Sequence, residues 1–263
     1  MMNGNGASAF RARLARLEAW SGSRSYGVAQ LRELGLATEE MWDAMAFVET
    51  LNPPGLAGQA LLADRVRPSE IDRIPSSTRL KRLENLHREL HSHSSTLWFS
   101  ERPGPPRPER FGLASYASWA GKPAAALFTS TGTKRNPGMW AAYMATFRGS
   151  ANGPLFAWTL GVTPHSEIVI DSAVAWCEFA TSHFDRHGLV DWPSVAEQVD
   201  AVRVTPRGVA AIEGFEFEYA GQTVPAAYWT VESTAWLRWK FDSVTGLDLS
   251  RARLSVTRAR YPA

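Results

Sequence analysis

The stretch Tyr228-Trp-Thr-Val-Glu-Ser-Thr-Ala-Trp-Leu-Arg-Trp-Lys-Phe241 constrains the fold of this chain more than any other. It holds three tryptophans, a tyrosine and a phenylalanine around a single carboxylate, Glu232. Val231, Thr234, Trp236 and Trp239 favour a pleated strand surface. A strand this apolar belongs inside a sheet, with both faces covered. A carboxylate there costs free energy unless something pairs with it or uses it. Two readings follow. Either Glu232 points to a sheet edge or pairs with Arg238 or another arginine, as structural ion pairs commonly do, or it is a catalytic carboxylate in an aromatic-lined cleft.

A length of 263 residues allows one large or two small domains. Eleven tryptophans are many for this length, and such side chains fill cores or line ligand sites. The net charge of +2, with both signs mixed along the chain, lacks the dominant basic face of a nucleic-acid-binding protein. The single cysteine, Cys177, lies in an apolar run and reads as a buried, inert thiol. Met1 to Ser8 is small and polar with no apolar core of a signal peptide after it, and no apolar run approaches membrane-spanning length. The expectation is a soluble cytoplasmic protein with no membrane partner.

Up to about His91 the pattern is helical. Phe10, Leu14 and Leu17 share one helix face; Val28, Leu31 and Leu34 another, stopped by Gly35; Met41, Met45 and Val48 a third. The pair flanking Gly35 has the outline of a helix-turn-helix, but Glu39, Glu40, Asp43 and Glu49 would face phosphates, so a helical hairpin is the better reading. Pro68-Ser69 opens a turn, and Leu80, Leu83, Leu86 and Leu90 line a longer helix. His87, His91 and His93 lack the further ligands of a zinc site, and no metal is expected.

After His93 the character changes to strands. Ser95–Ser100 reads as a strand, and Pro123–Thr131 as a short buried one opening into the loop Gly132–Asn136. A helix after Pro137 puts Trp140, Met144 and Phe147 on one face with Tyr143 at its edge. Leu155–Leu160 and Glu167–Ile170 are strand-like. Asp171 or Ser172 caps a helix through Phe179, and Asp191 opens another through Val199. Ala201–Thr205 is a strand with Gly208 in the turn after it, Phe215, Phe217 and Tyr219 alternate with glutamates, and Gly221 turns the chain back. Leu254 and Val256 suggest a last strand. The fold class is α+β: a helical region over residues 1–93 packed on a mixed, strand-rich domain over 94–263.

Three features stand in a meaningful order: Leu97-Trp-Phe-Ser-Glu-Arg102, then Leu127-Phe-Thr-Ser-Thr131 with the aromatic helix behind it, then Trp229-Thr-Val-Glu232. Together they resemble the three-part site of the ADP-ribosyltransferase superfamily, over roughly residues 95–241. The family's first strand holds NAD through Arg or His, its second supplies Ser-Thr-Ser or an aromatic under the nicotinamide, and a late strand supplies the catalytic Glu. The chain also resembles a group of bacterial proteins with a Trp-x-x-Glu-Ser-Thr-x-Trp type strand.

The resemblance implies an α+β fold and NAD as substrate, with no metal. It implies Glu232 and Ser130 as catalytic residues, the carboxylate bonding the ribose 2′-hydroxyl and stabilising an oxocarbenium-like state of the kind met in glycoside cleavage. It implies cofactor contacts from Arg102, Trp98, Phe128, Thr129, Thr131, Trp140 and Tyr143: Arg102 on the pyrophosphate or adenosine side, an aromatic on the nicotinamide ring. The acceptor would be an unknown protein or nucleic acid, and the protein a toxin, effector or phage-encoded modifier. Three departures shape that expectation. Trp98 and Phe99 stand where a first-strand histidine would; the second motif is Thr-Ser-Thr; and Thr230 stands where arginine-modifying members carry Glu or Gln, which argues against arginine as acceptor. A non-enzymatic interaction protein of the same fold, and an RNA-end-modifying relative using Lys134, Arg135 and the Arg-rich C-terminus, are the alternatives.

Overall fold

The computed structural model describes residues 67–73, 81, 85, 95–100, 103–110, 121–124, 126–132, 140, 156–213, 215–227, 229 and 231–247. The expected helices before residue 67, His87, His91, His93, Arg102, Tyr143 and the suggested last strand lie outside them.

Among the described residues, seven strands form one sheet and two form a separate hairpin. The strands are β1 (Ser95–Ser100), β2 (Leu127–Gly132), β3 (Phe156–Val162), β4 (Glu167–Ile170), β5 (Ala201–Val204), β6 (Phe217–Tyr219), β7 (Gln222–Val224), β8 (Ser233–Trp236) and β9 (Phe241–Leu247). The helices are α1 (Pro68–Asp72), α2 (Ala173–Ser182), α3 (Trp192–Gln198) and α4 (Pro206–Ile212). The large sheet runs β4-β5-β8-β2-β1-β3-β9. Only the β4–β5 pair within it is parallel, and α2 and α3 lie between those two strands in the chain, as a parallel crossover requires. The chain is therefore α+β.

Strand alternation sorts the side chains onto two faces. Val202, Val204, Ala235 and Phe128 face the helices, in a core with Trp176, Cys177, Phe179, Trp192, Val209 and Ile212. Leu97, Phe99 and Ala157 continue that face farther along the sheet, beside Trp140. Ala201, Trp236, Trp158, Leu160 and Phe241 occupy the opposite face with Trp98, Leu127 and Phe156. That second face is largely aromatic: Trp98 packs on Trp158 at 5.0 Å, and Trp236 on Phe241 at 4.9 Å, between ring centroids.

The helix starts follow from capping chemistry. Ser172 Oγ accepts from Ala175 N (3.1 Å), Asp191 Oδ1 from Ser194 N (3.4 Å) and Thr205 Oγ1 from Gly208 N (3.1 Å). The α2 start is capped twice, because Asp72 at the end of α1 accepts from Ala173 N (2.8 Å) and Val174 N (2.9 Å). Gly208 is not a turn residue: Pro206 begins a helix that contains it. A Cβ at 208 would collide with the Ile170 carbonyl oxygen, so glycine lets α4 settle against the end of β4. Gly221 does turn the chain, with Ala220, both at positive φ (78° and 49°) in the two-residue link of β6 to β7.

The Trp-rich stretch is central, as its composition requires, but its strand is short. Among the described residues from Trp229 to Lys240, only Ser233–Trp236 is paired, between β5 and β2, with Trp229 before it and Trp239 after it. The strand β9, absent from the sequence reading, follows directly. Arg238 does not fulfil the expected role beside Glu232, since it lies 3.5 Å from Asp200 Oδ1, with Lys240 at 3.3 Å from the same atom. Ser166 gives Asp200 Oδ2 two more bonds, from N (2.9 Å) and Oγ (3.1 Å). Burial pulls the Asp200 carboxyl upward, but the bonds from Ser166 and the nearby Lys240 outweigh it and hold it below the usual carboxylate range. Cys177 is fully buried, and burial, with Asp72 and Glu178 nearby, pushes its thiol well above the ordinary value. No helix among the described residues is long and apolar enough to cross a membrane.

Candidate functional site

Glu232 sits one residue before β8 and is 1% exposed. Extending the β2–β8 register, in which Thr129 faces Thr234, by two residues sets Thr131 opposite Glu232. The bonds agree. Thr131 Oγ1 donates to Glu232 Oε1 (2.9 Å), and Thr131 N donates to Oε2 (3.3 Å). Ser130, on the other face of β2, donates to the same Oε2 through its hydroxyl (3.3 Å). The carboxylate reaches both faces because it lies outside the paired segment. Three donors thus converge on one buried carboxylate.

The strands are held in register beside it by Trp236, whose Nε1 donates to Thr129 Oγ1 (2.8 Å). Ser130 Oγ in turn accepts from the backbone N–H of Trp140 (3.4 Å). Phe128 meets Trp229 edge-to-face, with centroids 5.8 Å apart. Ser130, Phe128, Trp140 and Trp229 thus line the helix-side face, next to the carboxylate.

The strands carrying the three sequence features are neighbours, in the order β8-β2-β1. Glu232, Ser130 and Thr131, about a hundred residues apart in sequence, are in direct contact, with Thr129 alongside. The other expected contacts divide. The pleat sets Trp98, Thr129 and Thr131 on the aromatic face, away from Phe128 and Ser130, and Trp98 packs on Trp158. One flat ligand cannot lie against both sets, because the sheet is between them.

No protein-family model, curated protein or solved structure matches the chain.

Two groups nearby gave no signal in the sequence. Glu213 is 1% exposed and bridges to Ala227, two residues before Trp229. Burial lowers the pKa of Lys122, and the charge of Glu213 opposes that shift. Neither belongs to a motif; Glu213 reaches the stretch through its bridge to Ala227, and Lys122 follows Gly121, which packs against Ala226 and Ala227. Among the described residues no group of three or more His, Cys, Asp or Glu is arranged to hold a metal ion.

Proposed function

We propose that this protein cleaves the nicotinamide–ribose bond of NAD and transfers ADP-ribose to a macromolecule, with Glu232 as the catalytic carboxylate. The observation that carries this reading is the contact of Glu232 with Ser130 and Thr131. Motif order alone groups the three residues in the sequence, and a carboxylate fixed by hydroxyls on a neighbouring strand suits the chemistry. In the reaction the C1′–N bond breaks and its electron pair leaves with neutral nicotinamide. Positive charge develops at C1′ and the ring oxygen, where a fixed carboxylate stabilises it. An acceptor X–H then bonds to C1′ and releases its proton to water. Ser130 and Thr131 act by holding the carboxylate still, so that it need not reorganise as charge develops.

The test is incubation of the protein with labelled NAD, with and without cell lysate, beside Glu232→Gln. The expected result is nicotinamide release or labelling of a macromolecule by wild type and not by the variant. Turnover by neither, with no thermal stabilisation by NAD, refutes the reading.

One observation favours a second reading, a non-enzymatic interaction protein. Glu232 is almost wholly buried, and its bonds to β2 tie together two strands that would otherwise meet only over Leu127–Thr129. A carboxylate in that setting needs no substrate to account for it.

A further inference from the structure

We infer that the indole N–H of Trp229 is a substrate-binding donor that takes the carboxamide oxygen of a nicotinamide ring; this rests on the NAD reading above. Trp229 is fully buried, and among the described residues its Nε1 has no hydrogen-bond partner. Buried donors are nearly always paired, so an unpaired one beside a candidate site marks a place for a ligand acceptor. The location fits. Trp229 stands three residues before Glu232 and packs edge-to-face on Phe128. Phe128 shares its strand face with Ser130, which bonds Glu232. The Trp229 ring is therefore linked to the carboxylate through Phe128 and Ser130 along one strand.

The kind of acceptor follows from charge. A phosphate here would be desolvated among Phe128, Trp140 and Trp229 and repelled by Glu232. The nicotinamide ring of NAD is cationic, so both the carboxylate and the aromatic faces attract it. Its carboxamide carries a neutral acceptor. Both Glu232 and Trp229 lie beneath the surface, so binding requires local opening and is slower than a preformed cleft would allow.

Trp176 supplies a matched control. Its Nε1 is also buried without a partner, but it lines a cavity of about 30 Å³ beside Leu189, Val190 and Pro225, not the Glu232 site. The experiment is calorimetric titration of wild type, Trp229→Phe and Trp176→Phe with NAD, nicotinamide, 3-acetylpyridine and pyridine, each at a temperature where circular dichroism shows the variant folded. Trp229→Phe is expected to weaken the three carbonyl-bearing ligands by about 3- to 10-fold, the worth of one neutral hydrogen bond, and to leave pyridine unchanged. Trp176→Phe is expected to stay within about twofold of wild type. If Trp229→Phe does not fold, 3-benzothienylalanine at position 229 keeps the shape without the N–H and should give the same loss. Unchanged nicotinamide binding by a Trp229 variant, or an equal loss for pyridine, overturns this inference and leaves the NAD reading standing. Wild type that neither binds nor turns over NAD overturns both.

Discussion

Thr131→Val tests how Glu232 is held, whatever the protein does. The substitution keeps the side-chain shape and removes the hydroxyl that donates the shortest of the three bonds described, 2.9 Å to Oε1. Thr131 is 7% exposed and Glu232 1%, so water cannot readily replace the donor. A hydrogen bond to a charged group is worth about 1.5–3 kcal/mol, so a loss of about 2 kcal/mol is expected. Glu232→Gln should cost about 1–2 kcal/mol by removing the charge while its carbonyl oxygen still accepts from Thr131 N and Ser130 Oγ. Its NH₂ then faces Thr131 Oγ1, which can turn to accept. Because the two residues touch, their effects should not add, and the coupling in a double-mutant cycle should be about 1–2 kcal/mol. Urea unfolding followed by tryptophan fluorescence reads all four proteins, through the midpoint at unchanged slope. A Thr131→Val loss below about 0.5 kcal/mol, with no coupling, would show that Thr131 does not hold the carboxylate.

Gly208→Ala should destabilise the fold by about 1–3 kcal/mol, because the added methyl meets the Ile170 carbonyl, which is backbone and cannot rotate away; thermal unfolding measures it. Asp200 titrates below its unfolded value, so its stabilisation is present above about pH 4 and is lost as pH falls through the lower folded pKa. Asp200→Asn should lower stability at pH 7 and flatten the acid limb of a midpoint-against-pH curve, and an unchanged acid limb would refute the assignment. Cys177 should resist a thiol reagent at pH 8 in the native protein and react at the rate of global unfolding, because it is buried with its pKa pushed up; rapid native labelling would contradict its placement.

What the sequence revealed depended on whether the signal was local. Ser95–Ser100 and Glu167–Ile170 emerge with the expected bounds, and Ser172 and Asp191 cap the expected helices, because alternation and capping are written in adjacent residues. The strand β9 stayed hidden because it is a sheet edge: Asp242, Ser243, Thr245 and Gly246 face water and leave no apolar rhythm. Gly208 misled because a glycine after Pro206 looks like a turn until the neighbouring β4 carbonyl explains its small size. At the site, the order of motifs was enough to group Glu232 with Ser130 and Thr131. It could not show that Trp98 and Phe128 lie on opposite faces, since that depends on which strand each residue joins and in what register. Nor could it pair Arg238 with Asp200, a contact across 38 residues made by the turn out of β8.

The carboxylate of Asp72 bears on where a working fragment of this protein can begin. Asp72 closes the first turn of a helix that starts 101 residues later, and its neighbour Ile71 is sealed in the same core at 1% exposure. A cut at residue 94, where strand character begins in the sequence, would strip α2 of one of its caps and open the core where Ile71 sits. Protease resistance and cooperative melting should therefore belong to polypeptides that retain residues 67–73, and should fail in those that start at the first strand.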